Sequence, residues 1–295
     1  MKLTVLRRAL ARATLFCIDR RGLRALGRQF LRADATLAMI LRLGRTPGRP
    51  DLLFNDFLFE LRVGDELDTP LRKRITDKAL GKDYIRSRLG EGRTVPTLAV
   101  LDTPAAIAAF RPAAYPVAVK PTHSSGQFLR IGSDAEWLAA EDRITGWLDH
   151  DFYRLTLQRN YAGIAKRVIV EPWLDESLRL EGSVHCRAGV PKVVSIIERY
   201  SKDRQSFSTD RRPLGVSLGF PTTDFDLPDW SFFDPLLQDA ATLSAELSYI
   251  RLDFYTDGRR VVFGELTNLP AAGLGRFYPA GGEEIFSAVF FAPPP

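Results

Sequence analysis

Tyr249-Ile250-Arg251-Leu252-Asp253-Phe254-Tyr255 and Val261-Val262-Phe263-Gly264-Glu265-Leu266-Thr267-Asn268 read as two neighbouring β-strands joined through Asp257-Gly258. Alternation along the first places Ile250, Leu252 and Phe254 on one face and Asp253 on the other. Carboxylates on adjacent half-buried strands repel each other and are costly unless a cation lies between them. Asp253, Glu265 and the amide oxygen of Asn268 are hard donors of the kind Mg²⁺ prefers when it carries nucleotide phosphates. Register decides whether the two carboxylates meet. A turn centred on Gly258 or Arg259 makes Asp253 and Glu265 neighbours on one face, whereas a tight Asp257-Gly258 turn sends them to opposite faces. The residues alone fit a metal site and structural pairing with nearby arginines equally well.

Upstream, Val117-Ala118-Val119-Lys120-Pro121 is an apolar strand ending in a lysine, followed by the polar turn Thr122-His123-Ser124-Ser125-Gly126. The chain has eight lysines against 33 arginines, so a lysine at this place is unusual. Its ammonium beside a small turn with backbone N–H groups suits phosphate oxygens; the alternative is a strand-end lysine snorkelling to solvent. Val168-Ile169-Val170-Glu171-Pro172-Trp173-Leu174-Asp175 is a third such element, readable as the edge of an adenine slot, with Asp175 or Glu176 near the ribose, or simply as core.

Around these motifs strands and helices interleave. Thr46-Pro47-Gly48-Arg49-Pro50 breaks the chain. Helices are expected at Thr76–Leu89 (N-cap Thr76 or Asp77, end at Gly90), Pro104–Phe110, Asp134–Asp149 and Pro235–Leu247. Strands are expected at Thr94–Val100, Pro116–Pro121, Gln127–Ile131, Arg167–Trp173, Leu180–Arg187, Lys192–Arg199, Tyr249–Tyr255 and Arg260–Thr267. Several are close enough for antiparallel hairpins, so the fold class is α+β with two lobes.

Residues 1–50 carry 12 Lys/Arg against Asp19 and Asp34, a net of +10, although the whole chain is only +5. The remainder is mildly acidic, which argues against a nucleic-acid partner. Leu6, Leu10 and Ala13, then Leu23, Leu26 and Phe30, recur at helical spacing among arginines. Such a head either rests on an anionic membrane face or packs on the body as a basic helix; an Arg-rich, acid-poor start is also the pattern of a transit peptide. No run reaches the ~18 apolar residues of a membrane span, and Arg7, Arg8 and Arg12 interrupt any secretory h-region. Cys17 and Cys186 cannot make a disulfide framework, and with His123, His150 and His185 they show no zinc spacing. A reduced, cytoplasmic setting is expected, peripheral at the inner membrane face if the head binds lipid. There is no P-loop, dinucleotide fingerprint or G-x-S-x-G elbow, which narrows the field to enzymes working with Lys, Arg, Asp and Glu.

In this order, from about Gly44 to Pro279, the chain resembles the TupA-like ATP-grasp proteins of teichuronopeptide biosynthesis. The landmarks are Ile75-Thr76-Asp77-Lys78, Val119-Lys120 with His123-Ser124-Ser125-Gly126, Arg167-Val168-Ile169-Val170-Glu171, Arg251-Leu252-Asp253-Phe254-Tyr255, and Phe263-Gly264-Glu265-Leu266-Thr267 with Pro270 and Gly273. The resemblance implies an ATP-grasp fold, two α+β lobes holding Mg-ATP between them. It divides the chain into a basic helical extension (1–45), the start of the body (46–115), a nucleotide-clamping lobe (116–175) and a catalytic, metal-binding lobe (176–295). It implies Lys78 and Lys120 on the phosphates, His123, Ser124, Ser125 and Gly126 as a phosphate loop, and Glu171, Pro172, Trp173 and Leu174 as the adenine hinge. Asp253 and Glu265 would hold Mg²⁺, with Thr267 or Asn268 as third ligand, and Arg204 would face the γ-phosphate or an acyl phosphate. Departures stand at Ser183, where family members carry lysine, at Ala271-Ala272, where they carry glycine-serine, and in the loop, which keeps only its last glycine.

The activity implied is a carboxylate–amine ligase: ATP phosphorylates a carboxylate on a sugar or amino acid, and an amine displaces the phosphate. The family setting implies a bacterial surface polysaccharide or peptidic polymer. Two other classes are a glycosyltransferase, through the D-x-D at Asp224-Phe225-Asp226, and a degenerate ATP-binding scaffold.

Overall fold

The structure is a computed structural model and describes residues 2–18, 20–223, 227 and 229–293. Asp224-Phe225-Asp226 therefore lies outside the described residues. In chain order the helices are α1 (Lys2–Cys17), α2 (Arg24–Leu43), α3 (Phe54–Val63), α4 (Pro70–Thr76), α5 (Lys78–Leu89), α6 (Pro104–Ala109), α7 (Asp134–Gly146), α8 (Phe152–Thr156), α9 (Phe233–Ser244) and α10 (Gly282–Phe291). The strands are β1 (Ala99–Leu101), β2 (Val117–Pro121), β3 (Leu129–Ile131), β4 (Val168–Pro172), β5 (Leu180–Arg187), β6 (Val190–Glu198), β7 (Arg204–Ser208), β8 (Ser217–Leu218), β9 (Tyr249–Thr256), β10 (Val261–Thr267) and β11 (Phe277–Tyr278).

Two antiparallel sheets carry the architecture. The smaller has the order β1-β4-β2-β3 and the larger β10-β9-β5-β6-β7, while β8 and β11 make a separate pair. Val117, Val119, Val168 and Val170 turn one face of the small sheet onto Trp137, Ile144 and Ile107 of α7 and α6. β1 and α6 precede residue 116, yet they belong to the same sheet and core as β2 to β4. In the large sheet Val184, Val194, Ile250, Leu252 and Phe254 pack on α5 and α9. Period-two alternation then sends Arg251, Asp253 and Tyr255 to the opposite face, toward the small sheet. Gly182 on β5 is obligatory there, because a Cβ would lie 2.5 Å from the Ser195 carbonyl oxygen and 2.6 Å from the Phe254 ring.

Most expected elements form within a few residues of their expected ends, and Leu180–Arg187 coincides with β5. Of the expected Thr94–Val100 strand only the end forms, as the start of β1. Pro96 removes a ladder donor, so Thr94 makes only an isolated bridge to Phe263 and pairing resumes at β1.

The head is two helices, α1 and α2, packed on α3. Ile18, Leu31, Ala35, Met39, Phe59, Val63 and Leu157 form their shared core. The apolar stripes expected from spacing are displaced: Leu6 is 49% and Leu26 41% exposed. The crossing uses Gly27 instead, where a Cβ would lie 2.7 Å from the Ile18 backbone, and the buried stripe runs Gly27, Leu31, Asp34, Ala35, Ala38. Arg28–Asp65 (3.1 Å) and Arg32–Glu60 (2.6 Å) tie α2 to the body at the surface. Among the described residues no helix is long and apolar enough to cross a membrane.

Candidate functional site

Between the two sheets lies a cleft of about 440 Å³, within the size range of small-molecule sites. Seven of the residues singled out from sequence line it: Lys78, Lys120, Gly126, Glu171, Arg204, Asp253 and Glu265.

Lys78 is placed by the start of α5. Asp77 caps that helix by accepting hydrogen bonds from the Ala79 (2.9 Å) and Leu80 (3.2 Å) amides, and its other oxygen pairs with Arg167 at 2.8 Å. The Lys78 amide donates to the Thr122 carbonyl at 3.1 Å, which pins the helix start to the end of β2. Its ammonium then reaches the Ser124 carbonyl and approaches Glu265 Oε1 at 3.4 Å, so one lysine bridges both lobes.

Lys120 leaves β2 on the face opposite Val117 and Val119 and meets Glu171 of β4 at 2.6 Å. Glu171 is 4% exposed and also holds the ammonium of Lys82. Burial works against charge throughout this trio. The two ammonium groups nevertheless hold the Glu171 carboxyl below its usual range, and Glu171 raises Lys120, whereas burial prevails at Lys82 and lowers it. Lys82 was missed from sequence. Its signal was available, since it lies one helical turn after Lys78 in a chain with eight lysines. Glu171 thus commits its carboxylate to two lysines at the cleft wall.

On the large sheet, Asp253 and Glu265 stand directly opposite each other. The turn contributes an even loop, with Val261 opposite Thr256, which alone would have put the carboxylates on opposite faces. A β-bulge at Gly264 restores the match. A side chain at Gly264 would lie 2.9 Å from the Tyr255 ring, so glycine suits the bulge. Asp253 accepts hydrogen bonds from Arg251 (2.7 Å) and Thr267 (2.9 Å). Burial pushes its carboxyl up against the pull of Arg251, while Asp253 holds the Arg251 guanidinium firmly charged despite burial. Arg251 was the other omission; its place two residues before Asp253 on the same strand face was the clue.

The donor set of Asp253, Glu265 and the Thr267 hydroxyl is all hard oxygen and fits Mg²⁺. Among the described residues no cluster of three or more His, Cys, Asp or Glu exists, so phosphate oxygens and water would have to complete such a site.

Other expected positions fall elsewhere. His123 is 3% exposed and its Nε2 lies 3.0 Å from the Trp147 carbonyl, with burial lowering its pKa. Its imidazole is taken up inside the small lobe, and His123 is not among the cleft's lining residues. Ser124 is buried and donates to Gln127 at 2.8 Å. Asn268 is consumed by Arg72, whose guanidinium donates to its Oδ1 (2.9 Å), and by Thr76, to which its Nδ2 donates (2.8 Å). That leaves Thr267 as the third oxygen beside the carboxylates. Pro172, Trp173 and Leu174 are half-buried at the end of β4 and are not among the cleft's lining residues. The Trp173 amide is already given to the Pro116 carbonyl at 3.0 Å. Asp175 is engaged by the Ser177 amide (2.8 Å) and by Arg260 (3.1 Å). Arg204 reaches the cleft with its guanidinium 4.3 Å from the Phe220 ring centroid.

A second chamber of about 320 Å³ adjoins the cleft and shares Gly126, Arg251 and Glu265 with it. Ser125, Thr76, Asn160, Tyr161 and Thr267 contribute its polar lining, and Ala271-Ala272 close one side. Both alanines have positive φ (49° and 57°), an uncommon conformation for residues bearing a Cβ.

The sequence profile described as TupA-like ATP-grasp matches residues 62–291. The chain belongs to the TupA-like ATP-grasp family. The two facing antiparallel sheets are the ATP-grasp fold as this chain builds it. Among solved structures, the D-alanine–D-alanine ligase of Helicobacter pylori is 14% identical, covering 73% of this chain and 61% of its own, with a TM-score of 0.48. For the L-amino acid ligase of Bacillus licheniformis the values are 12%, 76%, 51% and 0.47. For the D-alanine–D-alanine ligase of Bacillus anthracis they are 15%, 68%, 58% and 0.43. The chain therefore spans between 51% and 61% of the length of these structures. No protein of curated function matches.

Proposed function

We propose that this TupA-like ATP-grasp chain is an ATP-dependent carboxylate–amine ligase. The observation carrying the reading is the convergence of Lys78 and Lys120 with Asp253 and Glu265 in one cleft between two lobes. Phosphoryl transfer asks for positioned cations and metal-bound phosphate oxygens, not a protein nucleophile. Asp253, Glu265 and Thr267 would hold Mg²⁺, which when bound neutralises phosphate charge. Lys78, Lys120 and Arg204 would hold and orient the phosphate oxygens. The adjoining chamber meets the cleft at Arg251 and Glu265, which suits it to present a carboxylate to the γ-phosphate. The carboxylate oxygen would take the phosphoryl group, ADP would leave, and an amine would then displace phosphate to form the amide. We extend the proposal to a uronic-acid or amino-acid unit of a surface polymer as the carboxylate substrate, the class that the resemblance to the teichuronopeptide-type proteins implies. The division into a clamping lobe and a metal-binding lobe belongs to the same proposal.

Lys120→Met keeps the stem and removes the ammonium, and Lys82 remains to satisfy Glu171. Folding should survive while Mg-ATP affinity falls about 10- to 150-fold, the worth of one charge-assisted phosphate contact at roughly 1.5–3 kcal/mol. Calorimetric titration measures it, and an unchanged dissociation constant removes Lys120 from the nucleotide site. ATP binding without phosphate release in the presence of uronic acids and amino acids would return the protein to the scaffold class.

A peripheral membrane position is proposed for the same chain. The outward face of α1 presents Val5, Arg8, Ala9, Arg12 and Phe16, with the Arg20 guanidinium 3.7 Å from the Phe16 ring centroid. Among the described residues Arg8 and Arg12 make no ion pair. Each basic residue near an anionic surface contributes up to about 1 kcal/mol, weakened by salt. Full-length protein should sediment with phosphatidylglycerol vesicles and not with phosphatidylcholine vesicles. Arg8→Glu with Arg12→Glu should abolish that binding without changing Mg-ATP affinity. Equal binding of both proteins to the anionic vesicles would discard the membrane position.

A further inference from the structure

The α1–α2 hairpin is connected to the second chamber through two buried charges. Arg62 of α3 is 4% exposed, and its guanidinium donates to the Ala272 carbonyl at 3.1 Å and to the Thr156 carbonyl at 3.2 Å. Thr156 and Ala272 belong to two segments that line the chamber, α8 with its following turn and the turn after β10. Behind Arg62 stands Asp34 of α2, 1% exposed and 3.8 Å away, which in turn accepts from Arg7 of α1 at 3.0 Å. Each wall is also fixed a second time by a leucine. Leu157, buried and with φ 55°, enters the hairpin's core, and Leu274 packs against the same cluster. Between them Gly273, φ 72°, approaches Leu58 of α3 so closely that a Cβ would lie 3.3 Å from the Leu58 Cβ.

A basic hairpin serving only as a surface address would have no reason to bury an aspartate. Nor would α3 have reason to aim a buried arginine at two carbonyls that lie far apart in sequence. A buried guanidinium needs both an anion and hydrogen-bond acceptors, and here the anion comes from the hairpin and two acceptors come from the chamber-lining segments, while its Nε has no partner among the described residues. The positive φ values at Leu157, Ala271 and Ala272 are conformations that surrounding structure must impose.

We infer that Arg62 and Asp34 are positioning residues, and that the N-terminal hairpin sets the shape of the acceptor chamber as well as any surface it contacts. Arg62 ties the two segments together, Asp34 at 3.8 Å supplies the anion that partly offsets the burial of the Arg62 charge, and the hairpin's core holds Leu157 and Leu274. The inference rests on the ligase reading only for what occupies the chamber.

The test uses full-length protein with Arg62→Met, Arg62→Lys and Asp34→Asn. Arg32→Ala is the control, because it breaks a hairpin contact to Glu60 without touching the chamber walls. Hydrogen exchange by mass spectrometry should speed up at least tenfold in segments 152–162 and 268–276 of Arg62→Met. The effect should be smaller in Asp34→Asn and partly rescued in Arg62→Lys, and Arg32→Ala and the β2 segment 117–121 should stay as in the native protein. Phosphate release from Mg-ATP with a panel of amino acids and uronic acids supplies the second measurement. The acceptor KM should rise at least tenfold in Arg62→Met, with the KM for Mg-ATP within twofold of native. Native exchange in both wall segments of Arg62→Met and Asp34→Asn overturns the inference, as does acceleration spread equally to 117–121. If no acceptor stimulates the native protein, the ligase reading fails, while the exchange data still decide the role of Arg62.

Discussion

Glu171→Gln is expected to lower the stability of the ligand-free protein by roughly 3–5 kcal/mol, the range for stranding a buried charge. Among the described residues Glu171 is the one carboxylate paired with both Lys82 and Lys120. Lys82 is 2% exposed, and its remaining partners, the Val95 carbonyl at 2.8 Å and the Thr97 hydroxyl at 3.5 Å, are neutral. Urea denaturation of the native and variant proteins measures the difference, and a loss under about 1 kcal/mol would show that the trio is not coupled in this way. Mg-ATP should stabilise the variant more than the native protein, because phosphate oxygens can take the place of the lost carboxylate beside Lys120. The pH dependence has a definite sign. Lys120 and Lys82 hold the Glu171 carboxyl below its ordinary value against the opposing effect of burial. A depressed folded-state value means that the contribution is fully present above the unfolded carboxyl range, about 4.3, and is lost as pH falls through the folded value. Acid should therefore narrow the stability gap between the native and Glu171→Gln proteins.

Glu265→Gln should reduce Mg²⁺-dependent ATP turnover by at least about 100-fold, the scale of removing one group that stabilises transition-state charge, while leaving the ligand-free fold nearly unchanged. The Glu265 side chain is 34% exposed, and Lys78, its partner at 3.4 Å, keeps the Ser124 carbonyl as an alternative. Partly exposed pairs of this kind contribute about 0–1 kcal/mol, and the variant also loses a like-charge contact with Asp253. Asp253→Asn should abolish turnover to the same degree but cost more stability, because Arg251 loses the carboxylate it holds at 2.7 Å. Phosphate-release assays beside apo-state melting of the two variants separate the effects. Mg-ATP affinity retained in both variants, with strong apo destabilisation in Glu265→Gln, would make the pair structural and remove the metal site.

Much of this protein was legible as one-dimensional pattern. Alternation in Tyr249–Tyr255 committed Ile250, Leu252 and Phe254 to one face and Asp253 to the other, because a strand has period two whatever it packs against. A cap at Thr76 or Asp77, Gly90 as a stop and Lys120 at a strand end are likewise local chemistry, visible without neighbours, and the structure chose Asp77. What each polar side chain does was decided only by its tertiary partners. His123 and Asn268 carry the right atoms for a phosphate loop and a metal ligand, but the Trp147 carbonyl and Arg72, brought near by folding, claim them first. The meeting of Asp253 and Glu265 depended on a one-residue bulge at Gly264, and a register change that small has no periodic signal. The head shows the same limit. Helical spacing predicted one or two helices, whereas their number and the choice of buried face turned on how closely Gly27 lets α2 approach Ile18. The bonds from Arg62 to Thr156 and Ala272 span 94 and 210 residues, so no reading of neighbours along the chain contains them. Local propensities act over a few residues and so can be read from sequence, whereas desolvation and hydrogen-bond competition depend on which distant groups arrive together.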